Sequence, residues 1–180
     1  MRPAARYPLS SRQHGLTLIE LIVAIAVLAI MVTWAIPSLQ RFSARNEVAA
    51  EVLRIKTALA LARNTAVTRR TTISVCPLST PGSTECDISD WSLPIAVVLG
   101  HATGGNLSGE GDKILKVLEG SQRPNVTFNR AYPIRYSGIG WSRGHNGTFE
   151  ICGRDGKGVK VILNNLGRVR TGSSDDKPEC

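Results

Sequence analysis

Residues Leu16–Ile36 form an apolar run of 21 residues that contains a single charged side chain, Glu20. An α-helix rises about 1.5 Å per residue, so the run reaches ~30 Å, the depth of a bilayer's hydrocarbon layer. A membrane-spanning helix is the default reading. A secretory signal peptide fits less well, because its apolar region is shorter and ends at a small-x-small cleavage site. Here the run is longer, it holds an acid, and the small residue stands before it, at Gly15. The preceding block, MRPAARYPLSSRQHG, is polar and basic, with Arg2, Arg6 and Arg12 and no acid.

Glu20 is the informative residue of the run. A carboxylate at membrane depth costs on the order of 3 kcal/mol, so it marks a functional position by default. A cut after Gly15 would give Leu16 a free α-amino group, four residues from Glu20. In an assembly of such helices, the carboxylate would pair with a neighbour's amino terminus, neutralise both groups and set the axial register. The alternative is a carboxylate that snorkels to the interface with nothing to pair.

The stretch Gly15-Leu16-Thr17-Leu18-Ile19-Glu20 resembles the class III leader junction of type IV pilins and type II secretion pseudopilins. The resemblance implies peptidase cleavage between Gly15 and Leu16, N-methylation of Leu16, and an assembly role for Glu20, the fifth residue after the cut. Pro37 falls where that family usually carries a helix-kinking proline. Leu16 departs from the family's usual phenylalanine. The implied organisation is a leader over 1–15, a transmembrane and filament-core helix over 16–37, and an extracytoplasmic domain over 38–180. Loss of the three leader arginines would lower the formal net charge from +8 to +5. Arg41 and Arg45 follow the span, so the positive-inside count leans only slightly toward a cytoplasmic N-terminus. The cysteines all follow the span and call for the oxidising side, which places the domain in the periplasm of a bacterial inner-membrane protein before it enters a filament.

Beyond Pro37, which should bend the helix rather than end it, Val48, Val52, Ile55, Leu59, Ala62 and Ala66 recur at alternating spacings of four and three. They form one helical stripe that predicts an amphipathic helix over 38–67, packed on a sheet. Arg41, Arg45, Glu51, Arg54 and Arg63 fall largely off that stripe. Residues 71–180 carry short apolar runs separated by turn residues. Strand candidates are Thr71–Cys76, the apolar stretch through Ile95–Leu99, Lys113–Leu118, Val126–Asn129, Ile134–Tyr136, Thr148–Cys152, Val159–Leu163 and Arg168–Arg170. The fold class is α+β and pilin-like: a long N-terminal helix on one or two antiparallel sheets of about seven short strands.

Four cysteines in one compartment, Cys76, Cys86, Cys152 and Cys180, fit two disulfides. Three connectivities are open. Cys76–Cys86 with Cys152–Cys180 is favoured, because each bond closes a local excursion. A zinc site is the rival, but there is no C-x-x-C pair, and His14, His101 and His145 lack ligand spacing. No metal, cofactor or catalytic residue is expected. Ser137–Gly144 is glycine-rich but lacks dinucleotide-binding spacing and reads as a turn.

Two further segments, LALARNTAVTRRTTISVC over Leu59–Cys76 and the part from Phe149-Glu150-Ile151-Cys152 through VILNNLGRVR to Cys180, resemble the GspH/FimT branch of these proteins. Between Ser121 and Gly172, nine Lys or Arg stand against Glu150 and Asp155. In a strand, Arg168 and Arg170 of Gly167-Arg168-Val169-Arg170 would share a face, an arrangement suited to phosphates. FimT-type members are reported to bind DNA through such a motif during natural transformation. The resemblance thus implies contacts from Arg168 and Arg170, helped by Lys160, Arg154 and Arg143. The alternative is a solvated edge strand whose arginines deter aggregation. The acidic tail, Asp175, Asp176 and Glu179, would repel phosphate if it folded over the motif.

The resemblance implies a minor pilin of a type IV pilus. Its partners would be other pilins, the prepilin peptidase, an inner-membrane assembly platform, membrane lipid and double-stranded DNA. The type II secretion minor pseudopilin of the H type is the alternative. A membrane-anchored periplasmic enzyme is a third reading, without visible catalytic groups.

Overall fold

The computed structural model describes residues 17–121, 123–173, 178 and 180. The Gly15–Leu16 junction and Asp175, Asp176 and Glu179 lie outside them. The chain divides into two units, Met1–Gln40 and Arg41–Cys180. Helix α1, Leu18–Arg69, begins in the first and ends in the second.

The start of α1 is capped. The Thr17 hydroxyl accepts the Glu20 N–H at 3.3 Å, so Thr17-x-x-Glu20 stands as the first half of a capping box. The helix continues through Pro37, whose missing N–H leaves the Thr33 carbonyl without its helical donor. It stops with a reversal of hand at Arg70, φ +50°. The Thr71 N–H donates to the Ala66 carbonyl at 3.1 Å and the Arg70 N–H to Val67 at 3.3 Å, the double closure of a Schellman end. Gly138 packs on this end: a Cβ there would sit 2.7 Å from the Arg70 carbonyl carbon.

Eight strands follow: β1 Ile73–Pro77, β2 Ile95–Leu99, β3 Lys113–Leu118, β4 Asn125–Phe128, β5 Ile134–Tyr136, β6 Gly147–Cys152, β7 Gly158–Leu163 and β8 Val169–Thr171. They form two four-stranded antiparallel sheets, in the orders β3-β2-β1-β5 and β4-β6-β7-β8. A short 3-10 turn, Thr103–Gly105, lies between β2 and β3.

The main core joins the second half of α1 to both sheets. Val48, Ile55, Ala58, Leu59, Ala62 and Ala66 meet Ile73, Val75 and Val97 of the first sheet and Val126, Phe149, Ile151 and Val161 of the second. The small side chains of Ala58, Ala62 and Ala66, each at most 1% exposed, let the helix axis lie close to the strands. Trp91, Phe128 and Phe149 add a ring cluster with centroids 4.5–5.4 Å apart, mostly edge-to-face.

A second core lies on the other face of the first sheet. Cys76, Ala96 and Val98 point away from α1 and are covered by Leu78, Ala102 and Leu107 from the loops after β1 and β2. This explains why β1 is buried at every position, whereas β6 alternates.

One sequence expectation needs correction. Val48, Ile55, Leu59, Ala62 and Ala66 are buried and Val52 is partly so, but Glu51, read as largely off the stripe, is 2% exposed. It is held there by Arg54.

Candidate functional site

The candidate functional residues lie in the N-terminal half of α1, on the outer face of the second sheet, and in the turns and connections beside that sheet. In the first, every large apolar side chain from Leu18 to Phe42 is exposed on the isolated chain, Leu18 at 77% and Trp34 at 80%. Mean hydropathy reaches 2.6 over an 18-residue window of this helix, none of it buried. Such a surface demands lipid or neighbouring helices. Glu20 sits in its first turn, where a carboxylate also favours the positive end of the helix dipole. No cation among the described residues pairs with it.

The structure does not bring the five basic candidates together. Strand β8 is one edge of the second sheet, and Arg170 stands opposite Ile162 of β7. Arg168 precedes the strand, where its carbonyl and N–H meet the backbone and side chain of Asn164. Both arginines are exposed, and neither guanidinium has a partner among the described residues. Lys160 shares their outer face, since Val161 and Leu163 face the core. Its Nζ lies 3.2 Å from Glu150, its cross-strand partner.

Arg154 lies at the opposite end of β7, in the turn after β6. It donates to the Glu47 carboxylate at 2.6 Å and to the Ser43 hydroxyl at 3.4 Å, tying that turn to α1. Arg143 lies in the connection between β5 and β6, with its guanidinium 4.2 Å above the Trp141 ring. This connection packs on the β7–β8 turn: the Ser142 N–H and hydroxyl donate to the Asn165 and Asn164 carbonyls. A Cβ at Gly167, φ +73°, would lie 2.2 Å from the Gly140 carbonyl oxygen. Glycine is required there on both counts.

Cys76 bonds to Cys86 and Cys152 to Cys180. The first fastens the loop after β1 over the second core. The second draws the C-terminus onto β6, beside Gly158, where a Cβ would come within 2.7 Å of the Cys180 Sγ. Among the described residues no group of His, Cys, Asp and Glu is placed to hold a metal ion.

Sequence reading missed the Arg54 hub and the role of Trp141. The Arg54 signal was local and available: a Glu–Arg pair at i,i+3 beside the apolar stripe. Its carbonyl partners, 37 to 65 residues away, were not.

A family model described as type II transport protein GspH matches residues 51–167. The chain belongs to the GspH family. A model of the prokaryotic N-terminal methylation motif matches residues 10–36, across the leader junction and the apolar run. Two crystal structures of the type IV minor pilin FimU of Pseudomonas aeruginosa share the fold. One has a TM-score of 0.59 at 21% identity and covers 77% of this chain and 97% of that one. The other has a TM-score of 0.56 at 20% identity and covers 73% and 98%. No curated protein matches the chain. GspH-family proteins are structural subunits of the pilin and pseudopilin class, associated with other pilins and with prepilin-peptidase processing. The apolar helix and the motif accord with anchoring in the inner membrane.

Proposed function

We propose that this GspH-family chain is a minor pilin of a type IV pilus-type filament. It is cut between Gly15 and Leu16, methylated at Leu16, held in the inner membrane by residues 16–37 with its N-terminus cytoplasmic, and then drawn into the filament by an assembly platform. The observation that carries this reading is the methylation motif set on an unpartnered apolar helix with one carboxylate, Glu20. The disulfides support a periplasmic domain. Pairing of Glu20 with a neighbour's new amino terminus offsets the cost of the carboxylate at membrane depth. The role of the H-type pseudopilin in type II secretion is the alternative, and the presence of the chain in sheared pili distinguishes the two. In a producing strain, Glu20→Ala should leave the membrane pool unchanged and remove the chain from sheared filaments. Normal incorporation of that variant would contradict the assignment.

A second role, DNA capture at β8, rests on Arg168, just before that edge strand, and Arg170 within it, both exposed and unengaged among the described residues. Of the three helpers implied by the family resemblance, Lys160 shares their face, while Arg143 and Arg154 do not lie on it. In gel shifts of the detergent-solubilised chain with duplex DNA, Arg168→Gln with Arg170→Gln should weaken binding and lower the salt slope by about 2, one counterion for each lost phosphate contact. Arg154→Gln should bind as the parent does. Equal binding by the double variant would remove β8 from the reading.

A further inference from the structure

A cleft of ≈ 320 Å³ opens beside the β5 edge of the first sheet, where β5 lies next to β1. Arg135 of β5, His101 from the loop after β2, and Ile139, Trp141, Arg143 and His145 from the β5–β6 connection line it. The lining holds no carboxylate. Arg135 is fixed by backbone: its Nε donates to the His101 carbonyl at 2.5 Å and one Nη to Ala102 at 3.5 Å, while its Nη1 has no partner among the described residues. Arg143 is held over the Trp141 ring.

The His145 ring is oriented too. Its Nδ1 lies 2.7 Å from the Pro133 carbonyl, which can only accept, so Nδ1 carries the proton and Nε2 is the nitrogen left over. Tyr132 packs edge-on to the same ring at 5.1 Å. The titratable and charged groups around His145 are Tyr132, Arg135 and, lining the same cleft, His101 and Arg143.

We propose that this cleft binds a phosphate group, with Arg135, Arg143 and protonated His145 as its charge partners. The charge count selects the ligand class. Two fixed guanidiniums with a third group that can become cationic exceed what one carboxylate neutralises, whereas a phosphate carries about −1.5 to −2 near pH 7 and offers three acceptor oxygens. Among the described residues Arg135 has only carbonyl partners, and burial and the Arg135 charge press the His145 pKa downward against the raising effect of the Pro133 hydrogen bond. A bound anion cancels that charge, and His145 then takes up a proton. Arg168 and Arg170 are not part of this site.

The test is an NMR titration of the His145 ring in the full chain in detergent micelles, with chloride at matched ionic strength as the reference. Inorganic phosphate should raise the His145 midpoint by about one pH unit, the size of a newly gained opposite charge. Arg143→Gln, an exposed change, should abolish that rise. The Arg168→Gln/Arg170→Gln variant should keep it. A hexathymidylate probe separates the sources: a matching rise means that phosphodiesters enter, and no rise restricts the site to free or terminal phosphate. An unchanged midpoint with both probes, an equal rise with acetate, or loss of the rise in the Arg168/Arg170 variant would overturn the proposal.

Discussion

Arg54 closes on Glu51 one turn back along α1, and the guanidinium then reaches the loops that lead into β2 and out of β3. Its Nε donates to the Glu51 carboxylate at 2.8 Å, Nη1 to the Leu93 and Glu119 carbonyls at 3.0 and 3.2 Å, and Nη2 to Glu51 and to the Trp91 carbonyl, the latter at 2.6 Å. All five N–H groups are used, which is the condition under which a nearly buried ion pair is tolerated. The pair registers the helix against the chain on both sides of β2 and β3.

Removing one partner leaves the other charge buried. Arg54→Leu should therefore destabilise the domain by about 3–5 kcal/mol, read as a lower urea midpoint at unchanged m-value. The double change Glu51→Leu with Arg54→Leu should lose less than the single one. A single variant within about 0.5 kcal/mol of the parent would show that the pair does not organise this interface.

The two disulfides close loops of different length, with sequence separations of 10 and 28. On the loop-entropy model, Cys76→Ser/Cys86→Ser should cost about 2.7 kcal/mol and Cys152→Ser/Cys180→Ser about 3.6 kcal/mol. Gly158→Ala should act like the second pair. Its Cβ would meet the Ile151 carbonyl oxygen of β6 at 2.3 Å as well as the Cys180 Sγ, so both the β6–β7 pairing and the terminus must shift. Denaturant titrations of the oxidised proteins check the order.

Tyr136 gives the domain an alkaline limit. Burial pushes its hydroxyl well above the ordinary value near 10, against the opposing charge of Arg63. The folded pKa is raised, so its stability contribution is complete below pH ~10 and is lost as the pH climbs past that point, where the unfolded chain ionises first. Its Oη is buried without a hydrogen-bond partner among the described residues. Tyr136→Phe should therefore change stability at neutral pH by less than about 1 kcal/mol and flatten the fall above pH 10. His145 acts at the other end. Its pKa is lowered, chiefly by burial, so stability is full above about 6.5 and falls as the pH drops below that, a limb that His145→Gln should shrink.

The helix, its buried stripe and the strand-bearing segments were legible because each depends on local periodicity. Eight strands stand where about seven were expected. The run Ile95–Leu99 showed no alternation, and its meaning emerged only from the loops that cover its second face with Leu78, Ala102 and Leu107. A left-handed Arg70 at the helix end carried no sequence signal, since glycine is the usual residue there and the matching space comes from Gly138, far along the chain. The candidate site was legible in its parts and not in its arrangement. Arg143, Arg154 and Arg168 share a charge and a region of sequence, yet sheet topology sends Arg143 to an aromatic cleft, Arg154 to a turn on α1 and Arg168 to a strand edge.

The proposed pilin role turns on what becomes of the bond between Gly15 and Leu16. Mass spectrometry of the N-terminal peptide, from chain purified out of a strain that makes type IV pili, tests this most directly. The predicted peptide starts at N-methylated Leu16. A chain that keeps residues 1–15, or one cut after the apolar run, would contradict the account.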